Sequence, residues 1–284
     1  DIDQNKIKKF SKFGRKSQLS FNCDIKIFLK YLNKYLRNYH TKKPYNNWVR
    51  IINKWKKNYI PGQGRKLTNK VNPYFLLSNL DKYLSKDEII FSDTGSAIAW
   101  ITQSFNFNSK HRLIHDFNNT AMGYALPASI GAKLANQKYN VTCLVGDGSF
   151  MMNIQELSTL KEYKIPIKIL LINNEGYSMV KQTQDQWLNS KYFATSQNQG
   201  LSFPNFKKIA SSFDIDYLRI SKDNQIFKLE KLKKITKSIL IEIVIDEKER
   251  VLPQSRFGYP IEDADPLMDR KEFLENMIIK PYKI

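Results

Sequence analysis

Four short runs of the chain, "EIIFSD" (88–93), "NVTCLVGD" (140–147), "PIKILLINN" (166–174) and "SILIEIVID" (238–246), lack the polar alternation of a strand with one wet face. A strand of that kind has to be covered on both faces, and packed helices are what cover it. Helical segments lie before and between the runs: "YFLLSNLDKYL", "LPASIGAKLANQK", "NIQELSTLKEY" and "FPNFKKIASSF". The alternation predicts an α/β fold, a parallel sheet with helices on both faces.

The front of the chain reads differently. "DIKIFLKYLNKYLRNY" places Ile25, Phe28, Leu29, Leu32 and Leu36 on one helical face, "NNWVRIINKWKKNY" reads as a second helix, and "IPGQGRKLTNKVNPY" collects the Pro, Gly and polar residues of a linker. The expected division is 1–71 for this front segment with its linker, 72–255 for the α/β domain and 256–284 for a tail. The formal charge is +19, but lysine is spread along the whole chain with Asn, Ile and Tyr and forms no basic stripe. That pattern predicts a solvated basic face and no nucleic-acid partner. The start of the chain has no signal-peptide pattern, and no run approaches the roughly eighteen apolar residues of a membrane span, so the expected setting is cytoplasmic and off the membrane. Cys23 and Cys143 are too few and too far apart for a disulfide framework or a zinc site.

In such folds ligands bind where the carboxyl ends of strands meet the amino ends of helices. Three loops fall there: "SDTGSAIAW", "GDGSF" and "NNEGYSM". Gly146 and Gly148 permit a tight turn and close backbone approach, while Ser149 and the N–H groups of the following helix can hold phosphate oxygens. Asp147 would repel a phosphate unless a cation lay between them, and Mg2+, shared by protein and phosphate oxygens, is the usual solution. Asn174, at the tip of the neighbouring run, offers an amide oxygen to the same ion. Taken alone, "GDGS" is also a common turn.

The segments "TAMGYALPASIGAKLA", "GDGSFMMNIQELSTL", "IKILLINNEGYSMVKQTQ" and "PNFKKIASSF", in that order, resemble the acetolactate synthase branch of the thiamin diphosphate enzymes, and GDG followed by NN resembles that superfamily's cofactor motif. The resemblance covers residues 70 to 255, its carboxyl-terminal, diphosphate-binding domain. The front segment, with Trp48 and Trp55, resembles the end of the family's middle domain. The resemblance implies Asp147, Asn174 and the Gly176 carbonyl as Mg2+ ligands. It implies Gly95, Ser96, Gly146, Gly148 and Ser149 around the diphosphate. Met122 would prop the cofactor in a bent shape, with backbone groups of Thr120 and Met122 facing its aminopyrimidine. Met179, Val180 and Gln182 are the expected substrate pocket. Two positions depart from the synthase pattern: Ser96 and Ala97 stand in place of Gln and His, and Thr183 follows Gln182 in place of Trp.

The implied activity is thiamin diphosphate and Mg2+ dependent decarboxylation of a 2-keto acid, with transfer of the two-carbon unit to an acceptor. A simple decarboxylase, a sugar-directed carboligase and a non-catalytic half that completes a partner's site remain open. The activating glutamate of the family belongs to a separate pyrimidine-binding domain, so no catalytic residue is expected in this chain. That domain would come from a missing amino-terminal part or from another chain, in a homodimer or tetramer, with FAD a further cofactor in a full-length protein. The tail "FGYPIEDADPLMDRKEFLENMII" resembles synthase-like proteins of surface-sugar pathways, and its acids Glu262, Asp263 and Asp265 read as a solvated turn. Of the three histidines, His115 lies nearest the expected cofactor face.

Overall fold

The computed structural model describes residues 2–12, 17–39, 45–63, 65 and 68–281. The chain divides into two compact units, Asp1–Asn58 and Tyr59–Ile284. Among the described residues the first holds α1 (Gln4–Lys12), α2 (Ile25–Leu36) and α3 (Asn46–Asn58). Asp24 starts α2 by accepting the Lys26 N–H at 2.7 Å. The spacing predicted α2 and α3 in these places; on α3 it brings Trp48 and Trp55 edge to face at 5.7 Å. No described residue of α2 or α3 is buried. His40 and the basic stretches "GRK" at 14–16 and "TKK" at 41–43 lie outside the described residues.

The second unit runs α4 (Pro73–Leu80), β1 (Ile89–Ser92), α5 (Ser96–Ser104), β2 (Arg112–Ile114), α6 (Ala125–Ala135), β3 (Val141–Gly146), α7 (Asp147–Met152) and α8 (Glu156–Glu162). It continues with β4 (Lys168–Asn173), α9 (Ser178–Trp187), α10 (Phe206–Ser212), β5 (Asp216–Ile220), β6 (Ile239–Val244) and α11 (Arg270–Asn276). All six strands are parallel, in the order β2-β1-β3-β4-β6-β5. The fold is the α/β arrangement that the alternation predicts. The four apolar runs are the four inner strands; the two edges, β2 and β5, are additions.

Each inner strand sends alternate residues to opposite faces. On one face Leu144, Leu170, Ile172, Ile241 and Ile243 pack with Leu76, Leu77 and Trp100 of α4 and α5. On the other, Cys143, Val145, Ile169 and Leu171 pack with Leu126, Phe150, Leu157 and Phe206 of α6, α7, α8 and α10. Burial drives the Cys143 thiol far above its ordinary range, so it behaves as a small hydrophobe. Asn72 caps α4, accepting from the Tyr74 and Phe75 N–H groups ahead of a proline placed where its missing N–H is harmless. Near the amino ends of the strands one buried ion pair interrupts the apolar pattern. Lys168 Nζ lies 2.6 Å from Glu88 Oε2, with side-chain exposures of 4% and 0%. Thr142 Oγ1 donates to the other carboxylate oxygen at 2.7 Å, and the Ser85 N–H adds a bond at 3.1 Å.

The tail packs along α9. Gln182 bonds both the N–H and the C=O of Val251, Gln186 accepts from the Phe257 N–H, and Gln254 pairs with Asp265 through two backbone bonds. The acids of the tail are therefore more than a solvated turn: Asp263 lies 3.0 Å from Arg270 Nη1 and 3.5 Å from Arg256 Nη2. No helix among the described residues is long and apolar enough to cross a membrane.

Candidate functional site

The chain leaves β1 to one side to make β2 and returns to the other side to make β3. That reversal opens a crevice at the carboxyl ends of β1 and β3, where no crossover connection covers the sheet. A cavity of about 170 Å³ lies there, lined by Gly95 and Ser96 where β1 leads into α5, by Gly146, Asp147, Gly148 and Ser149 where β3 passes directly into α7, and from the loop after β4 by Asn174, Gly176 and Tyr177. Met122, Met179, Val180 and Trp100 complete its apolar wall.

Asp147 is 1% exposed, and burial pushes its carboxyl up to about 7 against the backbone N–H groups that favour the anion. Oδ1 accepts from the Gly148 N–H at 2.7 Å, and Oδ2 accepts from the Asn174 N–H at 3.0 Å and the Gly176 N–H at 3.2 Å. The Asn174 side-chain amide stands 3.2 Å from Asp147 Oδ2 and 2.7 Å from the Gly176 carbonyl oxygen, and in the orientation that hydrogen bonding favours its nitrogen donates to both. A hard cation in the same place would instead draw the amide oxygen inward beside the other two. No group of three His, Cys, Asp or Glu side chains that could hold a metal exists among the described residues. The donor set is one carboxylate, one amide and one carbonyl, which leaves room for phosphate oxygens and water on Mg2+.

The remainder of the cavity fits an oxyanion. Ser96 Oγ is buried without a hydrogen-bond partner. It opens α5, whose first turn has no side-chain cap, and Gly95 precedes it at φ 86°, a conformation that disfavours any residue with a Cβ. A Cβ on Gly148 would lie 2.0 Å from the Tyr177 ring, and one on Gly176 would lie 2.4 Å from the Thr195 carbonyl oxygen. Both loops therefore pack as backbone against their neighbours.

The two asparagines that end β4 part company. Asn173 turns away and donates to the buried Glu242 carboxylate at 2.6 Å, while Asn174 faces Asp147. Thr120, at φ 51°, is exposed and stands outside the cavity lining. Gln182 is also outside it, its amide committed to Val251 in an adjoining groove that Met179 shares. His115 is buried, bonded through Nδ1 to the Ser92 carbonyl at 2.9 Å and edge-on to Phe117. Sequence reasoning missed Tyr177, Lys181, Asp93 and Asn153. Lys181, beside Gly176, is buried in the first turn of α9, and burial holds its ammonium below the usual lysine range.

Residues 93–243 match the family "Thiamine pyrophosphate enzyme, C-terminal TPP binding domain", and the chain belongs to that family of thiamin diphosphate-binding domains. It is similar to the acetolactate synthase large subunit of Lactococcus lactis, 33% identical over 75% of this chain and 36% of that protein. It is 34% identical to the large subunit of Buchnera aphidicola over 74% of this chain and 37% of the relative. Acetolactate synthase 1, chloroplastic, of Zea mays is 28% identical over 93% of the chain and 42% of its own length. The chain thus spans about two-fifths of the length of these relatives.

The Asp147 carboxyl gives the metal-free protein a pH signature. Its folded value, about 7, is above the ordinary carboxylate value, so the native state binds this proton more tightly than the unfolded chain. The stability contributed is fully present below about pH 4 and is lost as pH rises toward 7. Urea unfolding with EDTA should show this decline in the parent and a flatter profile in Asp147→Asn; parallel profiles would count against it.

Proposed function

We propose that this chain holds the diphosphate and the Mg2+ of thiamin diphosphate in an acetolactate synthase-like enzyme, a 2-keto acid decarboxylase and carboligase with pyruvate as the favoured donor. The observation that carries the reading is the gathering of the Asp147 carboxylate, the Asn174 amide and the Gly176 carbonyl in one cavity with a buried, unpartnered Ser96 hydroxyl. Asp147, Asn174 and the Gly176 carbonyl would hold the ion. Gly95, Ser96, Gly146, Gly148 and Ser149 would hold the diphosphate oxygens, and Met122 with the backbone near Thr120 would support the ring system. When bound, the cofactor supplies an electron sink for the carbanion left by decarboxylation.

This chain's own residues orient and exclude water. Asp147 fixes the 174–176 loop through backbone bonds, and Trp100, Met179 and Val180 give the cavity an apolar wall that strengthens any charge interaction inside it. Gln182 acts at one remove, pinning the tail segment that borders the adjoining groove. The activating glutamate is assigned to a pyrimidine-binding domain outside these residues, in a homodimer or tetramer, and FAD is reserved for such a complete assembly. We place the protein in the cytoplasm, where the buried Cys143 stays a thiol.

The test is carbon dioxide release from pyruvate by this chain combined with a protein carrying the pyrimidine-binding domain. Release that needs both thiamin diphosphate and Mg2+, and is absent for the chain alone, is expected. Release that persists without either cofactor component, or none from the combination, would overturn the reading.

A further inference from the structure

We propose that Asp93 is a positioning residue which, together with Asn153, sets the 120–125 loop against the diphosphate cradle and so determines how the cofactor's ring half is held; this rests on the cofactor reading above. Asp93 follows β1, is fully buried and has its own N–H tied to the Leu144 carbonyl of β3 at 2.8 Å, so its carboxylate projects from a fixed backbone. That carboxylate accepts three backbone N–H groups: Thr94 at 2.9 Å and Gly123 at 3.1 Å on Oδ1, and Ala125 at 2.9 Å on Oδ2. The other side of the Gly123 residue is held from a different element. Asn153, at the carboxyl end of α7, donates its amide to the Gly123 carbonyl at 2.7 Å.

Gly123 is therefore clamped between the strand that leads to Gly95 and the helix that begins at Asp147. The loop it anchors is not one the backbone adopts freely. Thr120 has φ 51° and Gly123 φ 84°, and a Cβ on Gly123 would lie 2.7 Å from the Asn153 amide and 2.9 Å from Met152 Cβ. Between them stands Met122, a cavity wall that is 38% exposed. A carboxylate suits the clamp, because the three backbone groups it accepts from are donors, and an amide in its place would turn a donor toward at least one of them. Asp93 touches neither metal nor phosphate in this arrangement; it couples the loop beside the ring half to the two strand ends that form the diphosphate half.

The two halves of the cofactor can be probed separately on the full chain. Calorimetric titration with pyrophosphate and Mg2+ reports the diphosphate cradle alone; titration with thiamin diphosphate and Mg2+ reports cradle and ring site together. In Asp93→Asn, pyrophosphate affinity should stay within about twofold of the parent while thiamin diphosphate affinity falls about tenfold or more, the scale of one charge-assisted hydrogen bond. Asn153→Ala, which acts on the same residue from a partly exposed helix end, should give the same split and serves if Asp93→Asn does not fold. Equal losses for both ligands, or no loss for either, would overturn the positioning role, since a merely structural residue does not separate them. Absence of pyrophosphate binding in the parent would instead strike at the cofactor reading, and the inference would fall with it.

Discussion

In the proposed site Asp147→Asn should abolish the Mg2+ dependence of thiamin diphosphate binding: titrated with and without the metal, the variant should bind weakly in both cases, while the parent should bind tightly only with it. Outer partners of metal ligands already change affinity by about 10–100-fold, so losing the one charged ligand should exceed about a hundredfold. The substitution keeps the size of the side chain but removes the anion that lets phosphate approach through a cation. Asp147→Ala is the less clean variant. Three N–H groups, from Gly148, Asn174 and Gly176, end on this carboxylate, and removing every acceptor would leave buried donors unpaired as well as the metal unheld. From the sequence Asp147 is expected only as a metal ligand; the structure adds that its carboxylate also holds the 174–176 loop. Asp147→Asn with unchanged Mg2+-dependent affinity would remove Asp147 from the metal site.

The inner sheet was legible because β1, β3, β4 and β6 are covered on both faces and their sequences are apolar apart from a few residues with buried partners, such as Lys168 and Glu242. The two edges were not. "RLI" and "DYLRI" are covered on fewer sides, so Arg112, Asp216 and Arg219 can face water and the run of apolar residues never accumulates. Helix α5 hid behind its own start, since "SDTGSAIAW" reads first as a glycine-bearing loop, and α7 is short and begins at the Asp147 that the motif marks as a loop residue. Of the cavity lining, the glycines, Asp147 and Asn174 were legible because their residue types are unusual at the ends of buried strands. Asp93 and Asn153 could not, because their partners are backbone groups at positions 94, 123 and 125, and only the folded chain brings those together. Lys181 gave no signal either: one lysine among many on a basic chain does not announce that it is buried.

Lys168→Met tests the ion pair buried at the amino ends of the strands. Glu88 would keep the Thr142 hydroxyl and the Ser85 N–H but lose its cation, in a site where its side chain has no access to water. Breaking a buried pair from one side costs about 3–5 kcal/mol, because an uncompensated charge stays behind. Urea unfolding of the parent and the variant at neutral pH measures this, and a loss below about 1 kcal/mol would show that the pair is solvated in a way the geometry does not convey. The double variant Glu88→Leu with Lys168→Met separates charge from packing. It removes both ions and orphans only the Thr142 hydroxyl and the Ser85 N–H, neutral donors whose exposure to an apolar site costs about 1–3 kcal/mol each. It should therefore lose less stability than the two single variants added together. The pair sits at the amino ends of β1 and β4, at the opposite end of the strands from Asp147 and Asn174. Thiamin diphosphate affinity in the folded double variant should accordingly stay close to that of the parent.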